Sequence, residues 1–321
     1  MHRLSEESER FLQLREQAIR SGLSKPYNEL SVDEARAASL KTAKTFGGDF
    51  EFVGHIRDMV VPVQHLEEGV PVRIYKPAAL PHNPAVWIYF HGGGDVVGSR
   101  DTVDTLCRTI SSQGPFLIVN VGYRLAPEHP GPAYAEDAIN VTKWVLQNKV
   151  SIGAGARSIV GVGGDSHGGN ISTILCHEVK GLDYQVLIYP AVDLTQSYPS
   201  HTEFREGFIL DQTLVEWFMN LSFRTVEDRK GSFVSCIWRD DSSFVGQPPC
   251  LIIVTECDPL RDEGLAYAEK LKSAGVPVEV LLMEGTVHAY FHLPGLFKES
   301  CRRSYDKVVE FIRSRTPTTP E

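Results

Sequence analysis

Six short apolar runs constrain this chain more than any other feature. They are AVWIYF (85–90), FLIVNV (116–121), SIVGVG (158–163), YQVLIYP (184–190), CLIIVT (250–255) and VEVLLM (278–283). Each is rich in β-branched and aromatic residues and almost unbroken in apolarity, which is the pattern of a strand buried on both faces of a parallel sheet. Helical spacing fills most of the intervals, over 101–113, 133–148, 168–180, 262–274 and 296–314. Ahead of them, IRDMVVPV and VPVRIYKP read as an antiparallel hairpin turning at Glu68-Gly69. Alternating β and α after an antiparallel start predicts an α/β fold with a doubly wound, mostly parallel eight-stranded sheet flanked by helices.

Two segments fall outside that rhythm. Residues 1–20 place Leu4, Phe11, Leu14 and Ala18 at helical spacing, and Ser31-Val32-Asp33-Glu34 is a capping box that predicts a second helix to about Lys44. Roughly sixty residues separate the runs at 184–190 and 250–255, and they carry an aromatic helical pattern, DQTLVEWFMNL. Connections of that length are usually functional. Residues 1–50 and 196–246 are therefore expected to form a cap over a core built from 51–195 and 247–321. No internal repeat is visible, and the low-complexity content is limited to the tail TPTTPE.

Composition narrows the functional classes. Net charge is -9, with no Lys/Arg cluster, which argues against nucleic acid or an anionic membrane as the main partner. The six cysteines (Cys107, Cys176, Cys236, Cys250, Cys257 and Cys301) are scattered, as free thiols in a reducing compartment would be. The start, MHRLSEESERF, is charged and lacks an apolar h-region, so no signal peptide is expected, and no stretch approaches the ~20 apolar residues of a membrane span. A cytoplasmic enzyme or small-molecule binder is the expectation. Whether it forms a homodimer is left open.

The chemistry-bearing residues follow the predicted strands. GVGGDSHGGN (161–170) ends a strand and opens a helix, and it contains G-x-S-x-G at 164–168. A nucleophile at such a turn needs small neighbours, because strand and helix pass close together there. Ser166 is the candidate nucleophile. HGGGD (91–95) directly follows AVWIYF, and its glycines leave backbone amides free to approach a developing oxyanion. The amides of Gly93, Gly94 and His167 are the candidates for that role. Asp258 sits closest to the end of CLIIVTEC and is preferred as the acid. Asp262 and Glu263 read as charges at a helix N-terminus. His288, on the loop after VEVLLM, is the candidate base, and the order Ser166, Asp258, His288 is that of α/β-hydrolases. His288 and His292 have i,i+4 spacing, but no H-E-x-x-H frame accompanies them, so no metal is expected.

With those residues in place, the chain resembles the hormone-sensitive-lipase-like family of α/β-hydrolases, the bacterial family IV esterases. HGGG (91–94), YRLAPEHP (123–130), GDS-x-GGN (164–170), DPLRDEG (258–264) and His288 carry the resemblance, which spans most of the chain. It implies a Ser166–Asp258–His288 triad, an oxyanion hole from Gly93, Gly94 and His167, a helical cap, and hydrolysis of short-to-medium acyl esters without a cofactor. Cleavage of an amide, lactone or thioester, or a biosynthetic acyl transfer or cyclisation, would use the same residues. The plant gibberellin receptors resemble this scaffold but lack the triad histidine, which is present here. Two positions depart from the family pattern. His167 replaces the usual alanine after the nucleophile, and its side chain reads as packed with only its amide in use. Asp95 replaces the usual apolar or aromatic wall after HGGG, and as a substrate-binding residue it would recognise a polar substrate group. Tyr123, Arg124, Glu128, His129 and Asp165 read as structural support.

Overall fold

The computed structural model describes residues 4–316. Residues 1–3 of the first helical pattern and 317–321 of the TPTTPE tail lie outside the described residues. In chain order, helices α1 (Glu6–Arg20) and α2 (Val32–Phe46) precede the strands β1 (Gly54–Val63), β2 (Leu66–Pro77) and β3 (Ala85–Phe90). Then come α3 (Asp104–Gln113), β4 (Phe116–Val121), α4 (Ala133–Gln147), β5 (Val160–Asp165), α5 (His167–Glu178) and β6 (Tyr184–Ile188). The long connection carries α6 (Pro199–Glu203), α7 (Gln212–Ser222) and α8 (Val226–Lys230). The chain closes with β7 (Cys250–Cys257), α9 (Arg261–Ser273), β8 (Val278–Val287) and α10 (Lys298–Arg315).

The eight strands form one sheet in the order β1-β2-β4-β3-β5-β6-β7-β8. Pairing is antiparallel for β1–β2 and β2–β4 and parallel from β4 onward. This is the mostly parallel eight-stranded sheet that the runs predicted, in the α/β-hydrolase arrangement that the resemblance implied. Alternation along β3 sends Val86, Ile88 and Phe90 into an apolar layer shared with α4, α5 and α9. Ala85, Trp87 and Tyr89 enter the opposite layer, shared with α3 and α10. A third apolar cluster joins Val96 and Val97, just beyond HGGG, to Leu214, Val215, Phe218 and Met219 of α7.

The first hairpin differs from expectation. Val63 pairs with Leu66, so the chain turns at residues 64–65, and Glu68-Gly69 lies inside β2. Gly69 has φ +67 and sits opposite a register shift between Val61 and Val63. A Cβ there would fall 2.5 Å from Val60 Cγ1 and 2.6 Å from the Val61 carbonyl oxygen. The glycine that suggested a turn instead makes a β-bulge, which takes the same backbone conformation.

At the N-terminus the Ser31 capping box is formed. The Glu34 amide donates to Ser31 Oγ, and the Ser31 amide donates to Glu34 Oε2. Among the described residues, no helix is long and apolar enough to cross a membrane.

Candidate active site

Sheet order decides what can meet. The chain leaves β3 toward β4, then returns to place β5 on the other side of β3. This reversal is the topological switch point, where α/β sheets open a crevice at their carboxyl ends. Phe90 pairs with Gly164, so HGGG and the Ser166 turn emerge side by side from neighbouring strands. Cys257 pairs with Val287, so Asp258 and His288 emerge together from β7 and β8.

Ser166 has φ 55 and ψ -115, a positive-φ conformation that non-glycine residues rarely hold. The conformation is fixed on both sides. The Ser166 amide donates to the Ile188 carbonyl at 2.9 Å, while its own carbonyl accepts from Ala191 and Asn170. The helix can start this close to β3 because position 168 has no side chain. A Cβ on Gly168 would lie 1.9 Å from the Phe90 carbonyl oxygen.

The hydroxyl of Ser166 donates to His288 Nε2 at 3.0 Å. On its other side, His288 Nδ1–H donates to Asp258 Oδ2 at 2.7 Å. The carboxylate of Asp258 is fully buried and accepts two more bonds, from Thr255 Oγ1 at 2.5 Å and from the Leu260 amide at 2.9 Å. The Tyr189 ring packs against the imidazole with centroids 4.5 Å apart. Such a chain can move a proton from a hydroxyl to a held imidazole.

The HGGG loop is tied to the same turn. Asp165 Oδ1 accepts from Tyr89 Oη at 2.6 Å and from the Gly92 amide at 3.0 Å. The Tyr123 hydroxyl donates to the His91 carbonyl at 2.7 Å. Gly93 and Gly94 take φ +122 and +60, and both line the cavity that contains Ser166, His167 and His288. His167 is the first residue of α5, so its amide has no partner within the helix. The structure thus gathers Ser166, Asp258, His288, Gly93, Gly94 and the His167 backbone at one place. His292 turns toward Asp165, with Nδ1 3.8 Å from Oδ2. Among the described residues, no group of three or more His, Cys, Asp or Glu side chains could hold a metal ion.

Asp95 departs from the sequence reading. It has φ 65, is fully buried and is not among the residues that line the cavity. His167 is buried, with its ring edge-on to Tyr134 at 4.4 Å between centroids.

Asp262 and Glu263 lie in the first turn of α9, as expected, and Glu263 is in addition a fully buried cross-link. Its Oε1 accepts from the amides of Val192 and Asp193, and its Oε2 bonds His201 Nε2 at 2.8 Å. Burial pushes its carboxyl above the ordinary value. Nearby, Ser200 Oγ donates to the Pro259 carbonyl and the Ser200 amide to Asp262 Oδ2, so α6 is fastened to the start of α9. The far end of the insertion is fastened too. Asn170 Nδ2 donates to the Val234 carbonyl at 2.7 Å, and the Leu194 amide donates to Ser235 Oγ at 2.9 Å.

Arg36 on α2 was not singled out in the sequence. Its guanidinium donates to the Val96 carbonyl at 2.9 Å, to the Ala126 carbonyl at 2.9 Å, and to both carboxylate oxygens of Glu128. It holds the Glu128 carboxyl down at about 2. No local pattern announces Arg36 or Thr255. The nearest signal for Thr255 is a hydroxyl residue three positions before an acid at a strand end.

The cavity above Ser166 is about 740 Å³, within the range of small-molecule sites. Its walls are mainly apolar and come from α1, α2, the HGGG loop and α7, including Phe11, Leu14, Phe46, Val97, Leu214 and Phe218.

Comparison with known proteins places this architecture. A family model described as the alpha/beta hydrolase fold matches residues 87–292. The ethyl acetate hydrolase of Pseudomonas putida is 32% identical over 300 residues, covering 90% of this chain and 92% of that protein. A carboxylesterase of Mycobacterium tuberculosis is 37% identical over 227 residues, 69% of this chain and 71% of that one. An arylesterase of Saccharolobus solfataricus is 33% identical over 247 residues, 75% of this chain and 79% of that one. Among solved structures, an esterase from Pyrobaculum calidifontis superposes with a TM-score of 0.86 at 31% identity, over 97% of this chain and 98% of that one. Sheet order, motif order and these matches agree: the chain belongs to the hormone-sensitive-lipase-like family of the alpha/beta hydrolase fold.

Proposed function

We propose that the protein is a serine carboxylic-ester hydrolase acting on short-to-medium acyl esters through Ser166, His288 and Asp258. One observation carries this reading: an unbroken hydrogen-bonded chain runs from Ser166 Oγ through His288 to buried Asp258, beneath an apolar cavity. Names among the relatives, such as ethyl acetate hydrolase and arylesterase, support ester substrates.

In this mechanism His288 Nε2 takes the Ser166 proton as Oγ attacks the acyl carbon. Asp258 keeps the Nδ1–H tautomer and stabilises the imidazolium. The amides of Gly93, Gly94 and His167 receive the oxyanion; in comparable sites each donor contributes roughly 3–4 kcal/mol. His288 then protonates the leaving alcohol, and water repeats the sequence on the acyl-enzyme. Helices α1 and α2, with the 196–246 insertion, act as the cap that gives the cavity its apolar upper wall.

Ser166→Ala tests the reading. It is expected to abolish turnover of p-nitrophenyl butyrate while leaving the melting temperature within a few degrees. Activity near wild type would overturn the assignment.

A further inference from the structure

The two positions that depart from the family pattern face each other. Asp95 ends the HGGGD loop, and His167 begins α5. Their side chains are 0% and 2% exposed, with Asp95 Oδ1 4.0 Å from His167 Nε2. Both Asp95 carboxyl oxygens and His167 Nε2 are buried without a hydrogen-bond partner among the described residues. The Tyr134 hydroxyl beside them is buried and unpaired as well, and unpaired buried polar atoms are costly, so four such atoms at one spot call for pairing. A closure of about 1 Å brings the two side chains to hydrogen-bond distance.

The surroundings fix the charge state of such a pair. The Ser222 hydroxyl, which donates to the Gly94 carbonyl at 3.2 Å, is close enough to Asp95 to pull its carboxyl down, as the charge of Arg36 also does, and the phenols of Tyr123 and Tyr134 lie near it. His91 faces His167. Burial dominates at both groups. It raises the Asp95 carboxyl well above its usual range and lowers the His167 imidazole to about 3. A neutral acid has one O–H to give, and a neutral imidazole has one ring nitrogen to receive it. Position matters as much as charge. Asp95 directly follows the Gly94 amide, and His167 carries the opposing amide. An ionised Asp95 would set a negative charge behind donors meant for an oxyanion, whereas a neutral acid does not.

We propose that Asp95 and His167 form a one-proton pair in which the Asp95 carboxylic acid donates to His167 Nε2, locking the HGGG loop onto the first turn of α5. The pair sets the spacing between the amides of Gly93 and Gly94 on one side and that of His167 on the other. Both side chains are positioning residues that act through backbone amides. The substitutions therefore compensate each other: an acid in place of a wall residue is accommodated by an imidazole in place of a methyl. The proposal rests on the oxyanion reading given above.

The test is a double-mutant cycle with Asp95→Ala and His167→Ala, plus Asp95→Asn, which retains an N–H donor. The readouts are kcat and KM for p-nitrophenyl butyrate, and the affinity of an aryl trifluoromethyl ketone, which forms an oxyanionic adduct with the nucleophile. Each alanine variant is expected to lose about tenfold in kcat, with KM within twofold and a matching loss of inhibitor affinity. The double variant is expected to lose no more than the worse single one, and Asp95→Asn to stay within threefold of wild type. Losses that multiply in the double variant, a loss confined to KM, or an Asn variant as impaired as the Ala variant would each overturn the pair. If the alanine variants fail to fold, ¹⁵N imidazole spectra of the wild type decide. His167 is expected to carry its proton on Nδ1 with Nε2 accepting, and an Nε2–H tautomer would overturn the proposal. Residual full activity in Ser166→Ala would instead remove the esterase reading, so the two failures are distinguishable.

Discussion

Replacing Asp258 by Asn changes one atom in the least exposed part of the site, and the structure sets the size of the effect. The carboxylate receives three donors: His288 Nδ1–H and Thr255 Oγ1–H at Oδ2, and the Leu260 amide at Oδ1. An asparagine amide cannot match all three. With its NH₂ toward Leu260, two donors face each other, but His288 keeps its tautomer. With its NH₂ toward His288, the imidazole must place its proton on Nε2, where it can no longer accept from Ser166. The first orientation still loses the negative charge beside the imidazolium. Two unit charges about 4 Å apart attract by about 4 kcal/mol at an effective dielectric constant of about 20. That amounts to about 10³ in rate. The second orientation removes the base, and the wrong tautomer costs about 10⁴ in a comparable triad. The expected result is a fall in kcat for p-nitrophenyl butyrate of 10³- to 10⁴-fold by these two estimates. KM should stay within about threefold, because no cavity wall moves. A folded Asp258→Asn enzyme with kcat within tenfold of wild type would refute the role given to the carboxylate.

Two further outcomes follow from the same geometry. Gly168→Ala would put a Cβ 1.9 Å from the Phe90 carbonyl oxygen and 3.0 Å from that of His91, both backbone atoms. Overpacking of that kind costs about 1–3 kcal/mol or more, so thermal melting should fall by several degrees and kcat by at least tenfold; an unchanged enzyme would show that α5 starts elsewhere. Glu128→Gln removes a carboxylate whose pKa Arg36 holds at about 2, below its ordinary value. A depressed folded-state pKa stabilises above the unfolded value and ceases to do so as pH falls through about 2. The wild-type advantage in melting temperature, about 1–2 °C for a half-exposed pair, should therefore be complete at pH 7 and vanish near pH 2. A gap independent of pH would disprove the linkage.

The parts legible in the sequence were those whose cause is local. Strands β3 and β4 fall at 85–90 and 116–121, where the apolar runs put them, because burial on both faces leaves a mark on every residue. The HGGG and GDSHGG segments were readable because a backbone approach forbids side chains at fixed positions. The parts that were missed depend on partners far away in the chain. Gly69 looked like a turn, since a bulge and a turn share the positive φ, and only the pairing of Val61 with Val70 separates them. Asp95 reads as a cavity residue because the position after HGGG is a pocket wall in the family it resembles, yet it is fully buried outside the cavity lining, which no local pattern reveals. Glu263 stands in the first turn of α9 as its position predicts, but nothing near it in sequence reveals the amides of Val192 and Asp193 that it caps. Arg36 meets Val96 and Ala126 across 60 and 90 positions, a distance over which periodicity carries no information.

The fastenings of the insertion have a consequence for how such an enzyme can change. At one end, Ser200 and His201 are held by the first turn of α9 and by Glu263, and at the other Val234 and Ser235 are held by Asn170 and Leu194. Both anchors bind backbone or buried polar atoms of the core, and Leu194 and Val234 also share an apolar cluster with Leu214, Val215 and Phe218 of α7. The stretch from Phe204 to Phe233 therefore has defined splice points, and it also meets the core where Ser222 Oγ donates to the Gly94 carbonyl and the Gly131 amide donates to the Ser222 carbonyl. A library that varies it between those anchors while retaining Ser222 can reshape the cavity roof with Ser166, Asp258 and His288 kept in their framework, whereas graft boundaries set inside either anchor would cut the bonds that hold the insertion.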